Sequence, residues 1–542
     1  MVSTLAAAVL ATLGLSGLTG QTAVKPAAQP APKPAAASFF VAGHGWGHGV
    51  GLAQYGAYGY ALHGWTYDQI VAHYYPGTTL GQAPVKKVRV LLIGGSKRAV
   101  ISSRVPFTVK DGSGKTYKLP AGQQQLGPAL QLKLAAPKTA RALPGPLVFS
   151  PGSSALALGD RSYRGTFRVT GGKSVRVVNT VGLESYLYGV VPSEMPDRWP
   201  AEALAAQAVV ARTYALSHLH VGGDFDLYPD TRSQVYGGIP AESPTAKAAV
   251  DKTAGQIVLY GGEPADTFFF SSSGGRTANV QDVWYSSKPQ PYLVSVPDPY
   301  DTLSPYHDWG PLRFSTARLG KQLGARGTLT DVQTDATPSG RVRSVTVVGS
   351  KGSRTITGTA VRAALGLRST WFAIAMLNLT PPSRPLLYGT QTQLAGLARG
   401  LPRVTLDSRP YGGQWKPLAP LTSRSGRVSA TLSPNVTTDY RLSSGQIQSP
   451  VVRLSVAPLV RLAASANRTA MTGVVKPLLP GAAVQVQRKV GVSWTTVARS
   501  TVNPVGTFKA TLDVTPGTYR ARVVAGKGFA MGVSTVLQVV SA

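Results

Sequence analysis

The 542-residue sequence contains no cysteine. That excludes a disulfide scaffold, cysteine-ligated zinc and a cysteine nucleophile. Charge is scarce, at 14% of residues, and negative charge is scarcer: 23 Asp and Glu stand against 55 Lys and Arg, a net charge of +32. A surface this basic suits an anionic polymer or surface as its partner. Long apolar runs are also missing. The one candidate, Leu5–Leu18, is diluted by Ala, Gly and Thr and is short for a membrane span. The 60 Gly and 41 Pro follow no Gly-X-Y period, so the chain is not collagen-like. With 43% apolar residues it can bury several cores, which argues against global disorder.

Leu5–Leu18 with the small residues after it reads as a secretory signal or membrane anchor over residues 1–23. A Pro/Ala linker over 24–38 follows. The expected location is therefore secreted, at the cell wall of a bacterium, with membrane anchoring through the apolar segment as the alternative. Nucleic acid is the generic partner of a basic surface. No nucleic-acid-binding motif is present, and none is expected as partner.

From residue 39 to about 380 the patterning is mixed α+β. Helices are predicted at Thr66–Tyr75, Leu183–Val190 and Pro200–His218. Strands are predicted at Lys87–Gly94, Phe107–Val109, Phe167–Val169, Val175–Val178, Ile257–Tyr260, Ala265–Ser271 and Val342–Val348. Beyond Pro381 the chain has short β runs between Gly, Pro and Ser turns, and it repeats. Trp415, Gly426 and Tyr440 recur as Trp494, Gly506 and Tyr519, with a Trp-to-Tyr separation of 25 in both copies. The tail reads as two all-β sandwich-like modules, 381–459 and 460–542. It holds 19 Lys and Arg against three Asp, which suits anionic wall polymers. The Trp and Tyr of each copy are read as core residues rather than sugar-stacking ones.

Three stretches carry residues suited to chemistry. Glu194, in Val191-Pro-Ser-Glu-Met-Pro196, sits between a helical run and a Pro-bounded loop. A partly desolvated carboxyl there can stay protonated near neutrality and serve as general acid, then base. The helix after it supplies Gln207, Arg212 and Tyr214, and a salt-bridge role for Arg212 weighs evenly with a cleft role. Ser233-Gln234-Val-Tyr236 follows, then Ser271-Ser-Ser273-Gly-Gly275, which would present backbone N–H groups to a ligand or form a plain turn. The stretch Gly43-His44-Gly-Trp-Gly-His48-Gly-Val-Gly-Leu-Ala-Gln54 lets backbone approach a substrate closely. No carboxylate or Cys lies near its two His, so neither a metal nor another cofactor is expected.

At these residues the chain resembles the SpoIID/LytB family, the stage II sporulation protein D and amidase-enhancer relatives. The match runs over about 39–378 and takes in Ser193-Glu-Met-Pro196, the Ala203–Ala215 helix, Gln234-Val-Tyr-Gly237, Ser271–Gly275 and the Gly43–Ala57 motif. Two departures stand out. The Gly-His-Gly segment, 39–82, precedes the 83–380 core instead of following it, as a permutation would place it. The stretch in which some relatives hold zinc has no Cys. The resemblance implies a SpoIID-like domain over 39–380 acting on peptidoglycan glycan strands as a lytic transglycosylase. Glu194 would be its acid and base. His44, His48, Gln54, Arg212, Gln234, Tyr236 and Ser273 would line the cleft. It implies, alternatively, a non-catalytic modifier of a wall amidase.

Overall fold

The computed structural model describes residues 37–134, 140–220, 222–401, 403–526 and 528–541. The expected signal or anchor, and the linker up to residue 36, lie outside them. The first strand starts at Ser38, where the linker is expected to end. Among the described residues no helix is long and apolar enough to cross a membrane.

Strand Ser38–His44 lies inside a five-stranded antiparallel sheet, between Asp308–Ser315 and Phe372–Leu379. Successive side chains of a strand point to opposite faces. Phe39 and Val41 therefore enter one core with Phe314, Val345, Ile374 and Met376. Phe40 enters another with Leu377, Leu379, Leu394 and Leu406. A Cβ on Gly43 would lie 2.3 Å from the Trp371 carbonyl oxygen and 2.4 Å from the Trp309 ring, so only glycine fits there. The same sheet continues through Thr392–Arg399 to Arg427–Leu432, across the boundary expected near residue 380.

Residues 87–182 form a six-stranded and a four-stranded sheet around Ile101, Phe107, Phe149 and Phe167. Helix Leu183–Glu194 leaves them directly. Helix Ala201–Ser217 is buried on nearly every side, as an Ala- and Val-rich helix of the interior should be. Its Leu204, Ala205 and Ala208 face the sheet core. Its Ala206, Val209 and Val210 face Leu52, Ala57 and Tyr74 of the N-terminal segment. That segment also pairs Leu52–Ala53 in parallel with Phe269–Phe270, and Thr79–Gln82 with Gln256–Tyr260.

The helices read from the sequence are present as Tyr67–Tyr74, Leu183–Glu194 and Ala201–Ser217. The strand expected over Ala265–Ser271 shrinks to Phe269–Phe270. Helix Gln54–Leu62 has no counterpart among the expected helices, since Gly56 and Gly59 lower its propensity. Among the described residues from Leu386 onward, the helices and strands are all strands. Beyond Leu459, a three-stranded and a five-stranded sheet enclose Val475, Val484, Phe508 and Tyr519.

Because Phe40, Leu377 and Leu379 are covered by residues beyond 380, a chain ending at 380 would expose that face. We expect it to aggregate in size-exclusion chromatography, and a chain ending at 457 to elute as a discrete species. Equal behaviour of the two would contradict the shared core.

Candidate functional site

Glu194 is the last residue of its helix. Pro192 has no N–H to continue the ladder, Met195 is extended, and Pro196 follows, so the helix must stop there. The carboxyl Oε1 accepts the Val235 N–H at 3.1 Å. Burial raises the pKa of Glu194 above the ordinary carboxyl value, and the Val235 hydrogen bond pulls it partly back. No neighbouring carboxylate contributes to that shift.

The N-terminal segment reaches this residue. Gln54 opens helix Gln54–Leu62, and its Nε2 donates to the Glu194 carbonyl at 3.0 Å, one of the oxygens a helix end leaves free. The same Nε2 lies 3.4 Å from Oε1 of the buried Gln207. Next to Gln54, Tyr55 packs against Trp199 at 4.8 Å between ring centres, and Tyr58 stacks on Trp199 at 4.7 Å. The Tyr55 N–H donates to the Ser271 carbonyl at 3.0 Å, and the Trp46 N–H to that of Ser272 at 2.8 Å. A line of contacts thus runs from Glu194 through Gln54 and Ser271 to Trp46 and His44. At its far end His44 Nδ1 meets Asp308 Oδ1 at 2.6 Å, with both side chains substantially exposed. Trp46 meets Tyr306 edge-on at 4.6 Å, and the Arg368 guanidinium covers the Tyr306 ring at 3.8 Å.

Several residues expected on the cleft wall are framework instead. Arg212 is fully buried and forks onto Glu184, with Nη2–Oε2 at 2.5 Å and Nε–Oε1 at 3.0 Å. It ties helix Ala201–Ser217 to the start of the helix that ends in Glu194. Gln234 is buried, accepting from the Tyr186 hydroxyl at 3.2 Å and donating to the Ala211 carbonyl at 3.2 Å. The buried Tyr236 donates to Asn179 Oδ1 at 3.1 Å. The residue between them, Val235, faces outward and supplies the N–H to Glu194. Alternation along the segment, not its polar side chains, sets what the carboxyl meets.

Ser273 is fully buried too. Of the two readings of this stretch, ligand-facing N–H groups or a plain turn, the N–H groups of Ser273 and Gly274 are taken by Asp301. It accepts from Ser273 N at 2.9 Å, Gly274 N at 2.8 Å, the Ser272 hydroxyl at 2.8 Å and His307 Nδ1 at 3.1 Å. His48 is a pin rather than a substrate contact. Its Nδ1 accepts the Val50 N–H at 3.1 Å and its Nε2–H donates to the Phe269 carbonyl at 3.0 Å. Burial pushes its pKa down to about 4, so the ring is neutral. Of the expected set, the part-buried Glu194 and the exposed His44 remain accessible, while Gln54 is buried beneath the Glu194 carbonyl. Val235, Trp199, Asp308, Tyr306 and Arg368 join them. Val235 lies inside the Gln234-Val-Tyr-Gly237 motif and Trp199 three residues after Glu194-Met-Pro196. Among the described residues no three His, Cys, Asp or Glu cluster so as to hold a metal ion.

Removing one partner of a buried ion pair strands the other. Arg212→Met is therefore expected to destabilise the fold by about 3 kcal/mol or more in denaturant unfolding. A stability equal to the parent's would return Arg212 to the cleft.

Residues 171–260 match the SpoIID family, stage II sporulation protein. Stage II sporulation protein D of Bacillus subtilis (strain 168) is 33% identical over 215 residues, covering 36% of this chain and 61% of that protein. The amidase enhancer of the same organism is 42% identical over 116 residues, covering 21% of this chain and 15% of that protein. An uncharacterized protein of Brachyspira hyodysenteriae (strain ATCC 49526 / WA1) is 40% identical over 123 residues, 22% of this chain and 33% of that protein. The chain thus spans 61% or less of the length of these relatives. Over this region and the residues around Glu194 the chain is thus similar to the stage II sporulation protein D and amidase-enhancer proteins.

Proposed function

We propose that the protein is a cell-wall enzyme that cleaves peptidoglycan glycan strands between MurNAc and GlcNAc by lytic transglycosylation, with Glu194 as acid and base. The supporting observation is a single desolvated carboxyl with one N–H donor and no carboxylate partner. A hydrolase pair needs a second carboxylate to activate water or attack the sugar. Lytic transglycosylation needs only one group used twice. Protonated Glu194 gives its proton to the glycosidic oxygen as the bond to the MurNAc anomeric carbon breaks. The carboxylate then takes the proton of the MurNAc 6-hydroxyl while that oxygen closes on the same carbon, forming the 1,6-anhydro ring. The half-exposed Trp46, with Tyr306 and Arg368, offers a face on which a sugar ring can stack.

The proposed location is the wall outside the membrane. The proposed organisation is a SpoIID-like domain over 39–380, whose last sheet runs on into the first of two β modules. A second reading, a non-catalytic enhancer of a wall amidase, is favoured by the 42% identity to the protein named amidase enhancer.

A digest of purified peptidoglycan by the full chain and by its Glu194→Gln form, read by mass spectrometry, tests both. We expect 1,6-anhydro-MurNAc ends from the parent only. Wall binding without cleavage by either form would favour the enhancer reading. The acid form of Glu194 must start the reaction, so activity should fall as pH rises through its raised pKa. Ionising a carboxyl whose pKa is raised by burial removes stability as pH rises. Glu194→Gln avoids that charge and can still accept the Val235 N–H. Its Tm above neutral pH should be no lower than the parent's, so its loss of activity is not unfolding.

A further inference from the structure

The two strand-only copies share a scaffold and differ in charge. In the first, the Arg441 guanidinium covers the Trp415 ring at 4.2 Å; in the second, Arg520 covers Trp494 at 4.2 Å. Arg441 stands opposite Asp407 in register, and Ser408 opposite Tyr440. Arg520 stands opposite Gln487, and Arg488 opposite Tyr519. The repeats therefore superpose position by position, and the carboxylate of Asp407 is replaced by the neutral amide of Gln487. Asp439, two residues before Arg441, is replaced by Thr518, two residues before Arg520.

The consequence is electrostatic. In the first copy Asp407 pairs with Arg441 at 3.0 Å, and Asp439 pairs with Arg409 at 2.9 Å and Arg453 at 2.7 Å. Two carboxylates thus offset two of the three arginines on that face. In the second copy Arg499, Gln485 and Arg522 lie side by side on three strands, and Gln487 and Arg520 occupy the same face two residues on. Lys489 pairs with Trp494 at its edge. Among the described residues none of Lys489, Arg499, Arg520 and Arg522 meets a carboxylate within ion-pair distance. The one acidic residue of 460–542, Asp513, follows strand Thr507–Thr511, which belongs to the other sheet. Burial and the neighbouring Arg522 charge push the pKa of Arg520 below its ordinary value. Its fork is already oriented, with Nε donating to Gln487 Oε1 at 2.8 Å.

We propose that this face of the second copy, built on Lys489, Arg499, Arg520 and Arg522 beside Trp494, binds a phosphodiester-linked anionic wall polymer, and that the first copy does not. Residues two apart on a strand are about 7 Å apart, and next-but-one strands about 10 Å apart. Cations at these spacings suit a flexible chain with one anion per repeat. Pre-oriented guanidinium groups bind phosphate oxygens in pairs. A neutral glycan has no charge to offer them. The inference rests on the wall location proposed above and not on the cleavage reaction.

The test uses the full chain carrying Glu194→Gln, so that cleavage plays no role, with poly(glycerol phosphate) as probe at low and moderate salt. Arg499→Gln, Arg520→Gln and Arg522→Gln together should weaken binding about tenfold or more at low salt and flatten its salt dependence. Arg403→Gln, Arg424→Gln and Arg427→Gln together remove the same charge from exposed positions of the first copy. They should change affinity by less than about twofold. Equal losses in the two triples would mean that net charge alone binds, and would overturn the proposal. So would affinity for phosphatidylglycerol vesicles without affinity for the polymer. If thermal melting shows the first triple unfolded, Arg499→Gln alone decides. Its side chain is exposed, and it should weaken binding about threefold. An unchanged affinity for that single variant would likewise overturn the proposal.

Discussion

The pairing of Ser38–His44 on both its edges is the constraint on which the rest depends. A strand inside a sheet has no unpaired backbone edge, and its two faces must each be covered. Phe39 and Val41 are covered by the helix-bearing region and Phe40 by the strand-only region, so one short strand joins two cores. It also sets where the chain goes next. The glycines after His44 carry it past Ser272 to the parallel pairing at Leu52, and from there Gln54 meets the Glu194 carbonyl 140 residues away in sequence. The docking of this N-terminal segment is made of backbone hydrogen bonds and buried aromatics, which do not depend on chain order.

The buried acids of this region differ in a way that bears on chemistry. Asp301 is surrounded by two backbone N–H groups, a hydroxyl and an imidazole, and its role is to hold a loop. Glu194 has one N–H and an open side. A carboxylate with several donors is held in the charged form, whereas one with a single donor in a desolvated place takes up a proton more readily. A third acid, Asp298, is packed beneath Gly56, and burial and the nearby Asp301 raise its pKa to about 7. Two acids whose pKa values burial raises thus lie beside helix Gln54–Leu62, Asp298 at Gly56 and Glu194 at Gln54. Substitution, rather than a pH profile, is what separates their effects.

Glu194 and the helices on either side of it were legible in the sequence. Pro192, Pro196 and Pro200 punctuate the chain there, and the Ala-rich run between Ala201 and Ser217 leaves little alternative to a helix. The wall of the cleft was less legible, because polar residues in a motif look alike whether they face a ligand or satisfy each other. Nothing local tells Gln234 and Tyr236 to turn inward and Val235 outward; the partners that draw them in, Tyr186, Ala211 and Asn179, lie elsewhere in the chain. Arg212 reads as an even choice until Glu184 is seen beneath it. Helix Gln54–Leu62 was hidden by its own glycines, which are tolerated because a Cβ on Gly56 would strike Tyr74 and Asp298, and one on Gly59 would strike Tyr300. Tertiary contact overrides propensity there, and a single sequence does not display tertiary contact.

The repeat shows the converse, a case in which comparing the chain with itself separates packing from electrostatics. Tyr440 and Tyr519 are buried at matching register, and each Trp lies under a guanidinium, so the positions that make the sheet are retained. The positions that changed, Asp407 to Gln487 and Asp439 to Thr518, are covered by arginines in the first copy, where both carboxylates are buried. Gln487 accepts from Arg520 Nε as Asp407 accepts from Arg441 Nε, so that exchange keeps the hydrogen bond and removes the charge. The sheet is retained, while a face with two carboxylates among its arginines becomes one with unmatched cations. A difference that keeps the sheet and changes the external field is the kind of difference that acts on a partner rather than on the fold.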